Sequence, residues 1–237
     1  MVAAVTFDYW NTLMREPAGA MRGARREAVL AAAAAHGAEI DAEGLDEALH
    51  EVSRRREADW LQERHFSPAD GAAALVDALG LDGALRDQVV ADVLAAGGEV
   101  ELTSAPYIGD CLERLRSEGR ALGIVCDAGL TGGRTLRRLL EREGLLHHFS
   151  ASAFSDEVGS YKPSPLIFEA TLTQLGAAPA AAVHVGDLRR TDIAGARAFG
   201  MGTVRYCGFV EDVADGPEAD FVIDDHRKLP ALLAGLD

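Results

Sequence analysis

Residues 4–13, AVTFDYWNTL, hold an apolar run that ends in an acid. From Val2 to Phe7 the side chains are small, β-branched or aromatic, the composition of a buried strand. The run stops at Asp8, which is crowded by Tyr9 and Trp10 and followed by Asn11-Thr12. A carboxylate at the mouth of a buried strand is costly unless something answers its charge. The question is what does.

Downstream of this strand, residues 18–97 are helical in character. GARREAVLAAAAAHG, DEALHEVSRRREADWLQ, SPADGAAALVDALG and ALRDQVVADVLAAGG are rich in Ala, Leu, Glu and Arg, and each is closed by Gly or cut by Pro. SPAD supplies an N-cap serine with proline at the first helical position. No strand pattern interrupts these helices, so they are expected to form a bundle of their own. From about residue 100 helices alternate with strands: RALGIVCD, SASAFSD, AAVHVGD, GTVRY and DFVID read as strands, and a helix HRKLPALLAGL closes the chain, with Pro230 in its first turn or at a kink. That alternation predicts an α/β, Rossmann-like core with a mostly parallel sheet. The first strand belongs to it. The expected organisation is therefore a core of residues 1–15 and 100–237, with an inserted α-helical bundle cap over 16–99.

Composition narrows the function. The 237 residues are 48% hydrophobic and 26% charged, ordinary for a globular protein. A formal charge of −15 argues against nucleic acid or an anionic membrane as partner, since both require a basic face. It leaves room for a small anionic substrate met by a local positive cluster. Cys111, Cys126 and Cys207 show no paired or metal-type spacing. With no positively charged leader and no apolar run of ~18–20 residues, a cytoplasmic protein is expected, monomer or homodimer. Lys162 and Lys228 are the only two lysines.

Three strands end in polar residues, at Asp8, at Cys126-Asp127 and at Asp187. Ligands of open α/β sheets bind at the carboxyl ends of strands, so these ends should converge. Asp192, five positions after Asp187, sits near the start of the next helix and can turn back to the same point. Asp8, Asp187 and Asp192 together would repel one another without a cation, and a few oxygen ligands with room for water suit Mg²⁺. Lys162, in a loop stiffened by Pro163 and Pro165, can balance both carboxylates and a phosphate. Each residue alone has a plain structural reading as a cap, a turn or a solvated lysine. Their joint order on a strand–helix alternation does not.

In FDYWNTL, FSDEVGSYKPSPLIFEATLTQLG and HVGDLRRTDIAGARAFGMGTV the chain resembles the haloacid dehalogenase-like (HAD) hydrolases with a helical cap inserted after the first strand. The resemblance implies a phosphatase acting on a small phosphorylated substrate. In it, Asp8 is the nucleophile that becomes an aspartyl-phosphate and Thr12 closes the first motif. Lys162 orients the nucleophile and neutralises the phosphoryl group. Asp187 and Asp192 hold Mg²⁺, the second commonly through water, and residue 10 adds its backbone carbonyl to the metal. Trp10, Cys126, Asp127 and Lys162 would line the substrate.

Two positions depart from the family pattern. Trp10 stands where the phosphatases carry a second Asp that protonates the leaving oxygen, and Cys126 replaces the Ser or Thr that hydrogen-bonds phosphate. Three readings follow: a phosphatase for good leaving groups or with an acid from the cap (Asp59, Glu63 or His65), a 2-haloacid dehalogenase-type hydrolase, or a degenerate member that binds a phosphorylated ligand without turnover. The superfamily's dehalogenases lack the magnesium-binding GD arrangement kept here. Cys126 itself reads best as a small apolar residue ending a strand. The cap arginines Arg22, Arg25, Arg26 and Arg54-Arg55-Arg56 could meet an anionic tail, although three consecutive helix positions cannot share one face.

Overall fold

A computed structural model describes residues 2–236. In chain order the elements are β1 (Ala4–Phe7), β2 (Met14–Arg15), α1 (Ala20–Ala35), α2 (Ala42–Leu61), α3 (Pro68–Ala78), α4 (Gly83–Ala95), β3 (Thr103–Ser104), α5 (Ile108–Ser117), β4 (Ala121–Cys126) and α6 (Gly133–Arg142). Then follow β5 (Ala151–Phe154), α7 (Ser155–Val158), α8 (Pro165–Leu175), β6 (Ala182–Gly186), α9 (Ala194–Ala198), β7 (Gly202–Tyr206), β8 (Phe221–Ile223) and α10 (Leu229–Ala234).

Six strands form one sheet in the order β5-β4-β1-β6-β7-β8, and every neighbouring pair is parallel. β1 lies between β4 and β6, so the carboxyl ends of these three strands sit side by side. Side chains alternate across the sheet. Val5 and Phe7 join the core beneath α5, α6 and α10, through residues such as Leu112, Leu136 and Leu229. Ala4 packs on the other face with Phe168 and Leu172 of α8 and Ala196. Both faces are covered, which is why the strands read as nearly continuous apolar runs.

Helices α1–α4 have a hydrophobic cluster of their own, with Val29, Leu45, Val52, Leu75 and Val89 at its centre. The start of α3 is as the sequence predicts. Ser67 Oγ accepts from the Asp70 N–H at 3.1 Å while the Asp70 carboxylate accepts from the Ser67 N–H at 2.8 Å. This reciprocal cap is worth about 1 kcal/mol.

The structure adds elements that periodicity does not show. β2 and β3 pair antiparallel, Met14 with Ser104 and Arg15 with Thr103, at the point where the chain leaves for α1 and returns from α4. Two-residue strands carry no alternation to read. The segment expected to be strand through residue 156 turns helical at Ser155. The helix expected from Asp192 begins earlier, in a π-helical turn over Arg189–Ile193. Pro230 falls in the first turn of α10, behind a 3₁₀ turn at His226–Lys228.

His226 of that turn is buried, stacked on Tyr206 with ring centroids 4.1 Å apart, and its Nε2 donates to the Thr12 carbonyl at 2.9 Å. Burial pushes its pKa down to about 4. Below the ordinary value near 6.5 the unfolded chain takes a proton that the folded chain refuses, so stability is full above that value and falls as the pH drops towards about 4. Urea unfolding of the wild type should lose about 2 kcal/mol more than His226→Phe between about pH 7 and about pH 4.5. Equal losses in the two proteins would remove His226 as the source.

Candidate active site

Asp8 follows the last residue of β1, and its backbone N–H donates to the Val185 carbonyl at 2.8 Å. This continues the sheet by one residue and fixes the carboxylate at its edge. Tyr9 and Trp10 then part company. Tyr9 is fully buried, its hydroxyl 3.4 Å from the Leu136 carbonyl, while the Trp10 ring packs edge-on against it at 4.9 Å and faces the cavity above Asp8. Asn11 takes a left-handed conformation, φ +54°, which turns the chain sharply back towards Met14.

Lys162 answers the charge of Asp8. It is 2% exposed, and its ammonium donates to Asp8 and, at 2.7 Å, to Asp192 Oδ1. Its backbone N–H donates to Asp127 Oδ1 at 2.9 Å, which ties the lysine loop to the end of β4. Asp192 is held on every side. Leu188 N–H donates to its Oδ2 at 3.0 Å, and His184 Nε2 lies 3.0 Å from its Oδ1. The other ring nitrogen of His184 lies 2.8 Å from Thr6 Oγ1. Burial lowers the His184 pKa, and because the Asp192 carboxylate can only accept, a neutral ring donates from Nε2 to Asp192 and accepts from the Thr6 hydroxyl at Nδ1. Asp192 reaches this position only because residue 186 is glycine, since a Cβ there would stand 2.3 Å from Asp192 Cγ.

Electrostatics differ among the acids. Burial pushes Asp8 up to about 7, against the pull of Lys162. Burial, then the charges of Asp8 and Asp192, push Asp187 well above the carboxylate range. Burial acts on Asp192 as well, but Lys162 and His184 outweigh it and keep that carboxyl low. Lys162 is itself desolvated, yet Asp192, Asp8 and Asp127 hold its ammonium charged.

The structure brings Asp8, Asp187 and Asp192 together, with ligand oxygens within 4.8 Å of one another and all three residues buried. A cavity of about 190 Å³ opens over them, lined by Trp10, Asp127 and Lys162 of the expected set. Two expected residues are elsewhere. Cys126 is fully buried in the core cluster beneath α6, where burial pushes its thiol well up, and it does not line the cavity. Thr12 is also fully buried. Its hydroxyl has no hydrogen-bond partner among the described residues, and its carbonyl serves His226. Nor do the acid candidates of the helical insertion line this cavity. Asp59 pairs with Arg64 at 2.5 Å, and His65 is exposed, packed on Tyr161.

The insertion instead contributes Arg56 and Trp60. Trp60 Nε1 donates to Asp127 Oδ2 at 3.0 Å, and the Arg190 guanidinium lies 4.0 Å over the Trp60 ring. Sequence reasoning passes over Trp60, although a tryptophan among charged residues on α2 was a visible signal. It passes over His184 too, a histidine inside an otherwise apolar strand.

A model of the haloacid dehalogenase-like hydrolases matches residues 2–200. The chain is 34% identical to a glyceraldehyde 3-phosphate phosphatase of Methanopyrus kandleri, over 97% of this chain and 96% of that protein. Among solved structures it is similar to a 2-haloacid dehalogenase from Pseudomonas syringae pv. Tomato, with 28% identity, full coverage of both chains and a TM-score of 0.73. A HAD phosphatase from Thermococcus onnurineus is 26% identical, with 98% of each chain covered and a TM-score of 0.64. With the match spanning the sheet, the inserted helices and the carboxylate site, the chain belongs to the haloacid dehalogenase-like hydrolases.

Proposed function

We propose that this hydrolase is a Mg²⁺-dependent phosphatase that cleaves a small phosphorylated metabolite through an aspartyl-phosphate on Asp8, with residues 16–99 as its cap. The observation that carries the reading is the buried Asp8/Asp187/Asp192 cluster with Lys162 set against the first and last of them. The phosphatase relatives add support.

The donor set fits magnesium. It consists of hard carboxylate oxygens, few in number, beside a cavity with room for water. Asp8, Asp187 and the backbone carbonyl of Trp10 would hold the ion directly. Asp192 already accepts from Leu188, Lys162 and His184, which suits an outer place through water. When bound, the ion offsets the carboxylate charge and that of the phosphoryl oxygens.

Asp8 then attacks phosphorus, the P–O ester bond breaks, and its electron pair leaves on the ester oxygen. Lys162 orients the attacking carboxylate and lowers the repulsion it meets. Attack of water on the aspartyl-phosphate releases phosphate and regenerates Asp8. At position 10 there is an indole instead of a carboxylic acid, so neither the leaving oxygen nor the water receives help there. That help is ordinarily worth about 10²–10⁴ in rate. The second reading, dehalogenation, draws on this same residue and on the structural neighbour, because halide leaves without a proton.

Asp8→Asn should lower phosphate release from acetyl phosphate by more than about a thousandfold while circular dichroism stays native. Lys162→Ala should lose nearly as much. Chelation should abolish release and added Mg²⁺ restore it, whereas chelator-insensitive halide release from a 2-haloacid would install the dehalogenase reading instead.

A leaving-group series checks Trp10. Wild-type rates should fall steeply from aryl and acyl to alkyl phosphates, with a burst of aspartyl-phosphate, and Trp10→Asp should raise alkyl phosphate turnover by about 10²-fold or more. A flat series without a burst would assign acid–base work to another residue.

A further inference from the structure

Eight arginines lie on α1–α4 and their connections, and the structure sorts them. Arg26 pairs with Asp46 at 2.7 Å, Arg54 with Glu51 at 2.6 Å, Arg64 with Asp59 at 2.5 Å and Arg86 with Asp77 at 2.6 Å. Arg22 meets His50, and the Arg55 guanidinium lies 5.3 Å over the Phe66 ring. Among the described residues Arg25 and Arg56 alone of the eight have neither an acid, a histidine nor an aromatic ring as partner.

Arg25 is the more telling. It is 8% exposed, its Nη2 donates to Thr131 Oγ1 at 2.6 Å, and its Nε has no partner. A guanidinium taken out of water needs an anion or a full set of acceptors. Here burial pushes its pKa down to about 10, and the charge of Arg56 pushes the same way, against Glu16. Both arginines line a cavity of about 240 Å³ that shares Trp10, Arg56 and Asp127 with the cavity over Asp8. Two acids, Asp127 and Glu16, face it as well, and among the described residues neither forms an ion pair with Arg25 or Arg56. Asp127 accepts from Trp60 and from the Lys162 backbone, and Glu16 accepts from the Met21 N–H at 2.8 Å.

We infer that Arg25 and Arg56 form a second anion subsite, so that the substrate carries a carboxylate or a second phosphoryl group a few bonds from the phosphate placed over Asp8. The inference rests on the phosphatase reading for the position of the first phosphate. A guanidinium fork takes a carboxylate or a phosphoryl group in two parallel hydrogen bonds, and two forks on adjoining cavity walls would fix the tail of a short-chain metabolite. The protein's charge of −15 makes such a site selective. Its two guanidinium groups stand in a chain whose net charge otherwise repels anions.

Binding and turnover separate this inference from the reading beneath it. Wild-type protein with Mg²⁺ is titrated with glycerol 3-phosphate, 3-phosphoglycerate and 2,3-bisphosphoglycerate, read by the fluorescence of Trp10 and Trp60 and by calorimetry. At least one of the two anionic-tailed compounds should bind ten times or more tightly than glycerol 3-phosphate: tight binding of 3-phosphoglycerate assigns the site to the carboxylate, and tight binding of 2,3-bisphosphoglycerate alone assigns it to the second phosphoryl group. That preference should collapse in Arg56→Ala, which changes a half-buried surface residue, and in Arg25→Met, which keeps the buried volume. Turnover of the preferred compound relative to acetyl phosphate should fall tenfold or more in both variants. Equal affinities for all three compounds, or a preference unchanged in Arg56→Ala, would overturn the subsite. Acetyl phosphate hydrolysis without a tail preference would do so while leaving the phosphatase standing. A preference that persists in binding without any phosphate release would keep the subsite and sink the phosphatase.

Discussion

Everything at the carboxyl end of the sheet depends on one buried ammonium. Lys162 stands between Asp8 and Asp192, and without it two carboxylates would share a site from which water is largely excluded. Removing one partner of such a buried arrangement costs about 3–5 kcal/mol, because the remaining charge is left unanswered. The lysine is in turn positioned through its own backbone, which is tied to Asp127 at the end of β4. Three strand ends and one loop therefore settle together. Asp192 adds a second line of support through His184 to Thr6, a hydroxyl inside β1. The residue two places before Asp8 thus helps to hold the acid on the opposite side of the lysine.

This arrangement fixes what each layer of the molecule can contribute. The sheet supplies charge, rigidly placed and almost wholly desolvated. The inserted helices supply the walls, and they touch the site through few residues. Trp60 reaches down to Asp127 and carries Arg190 of the sheet layer on its ring, so one indole is gripped from both sides. Trp10 makes a second aromatic wall from the sheet side.

Much of this was legible in the sequence, for physical reasons. Long helices with caps, and strands buried on both faces, announce themselves by composition and periodicity, and the start of α3, with Ser67 as N-cap and Pro68 first in the helix, did so to the residue. Asp8 and Asp187 were found because strand ends in a parallel sheet must converge, and Asp192 and Lys162 from a helix start and a proline-stiffened loop that can turn to the same point. What escaped has no local signature. β2 and β3 pair across a long stretch of chain on two residues each. The motif match alone set Cys126 beside the substrate, whereas its residue type, a small apolar side chain ending a strand, agrees with its place in the core. Choosing Arg25 and Arg56 from a crowd of arginines needs the ion pairs of all the others. Gly186 was readable only afterwards, once Asp192 was seen lying where its Cβ would be.

The small β2–β3 ribbon has a bearing on how such a chain can change over evolutionary time. Because the outgoing and returning segments are clasped there, the sheet meets the whole helical insertion as it would meet an ordinary hairpin loop. The entropy of closing a loop grows only with the logarithm of its length, about 0.6 kcal/mol for each doubling. Helices can then be added, shortened or exchanged beyond the clasp while the register of β1 stays as it is. The helical insertion is in this sense a cassette, and the sheet beneath it keeps its address whichever cassette is fitted.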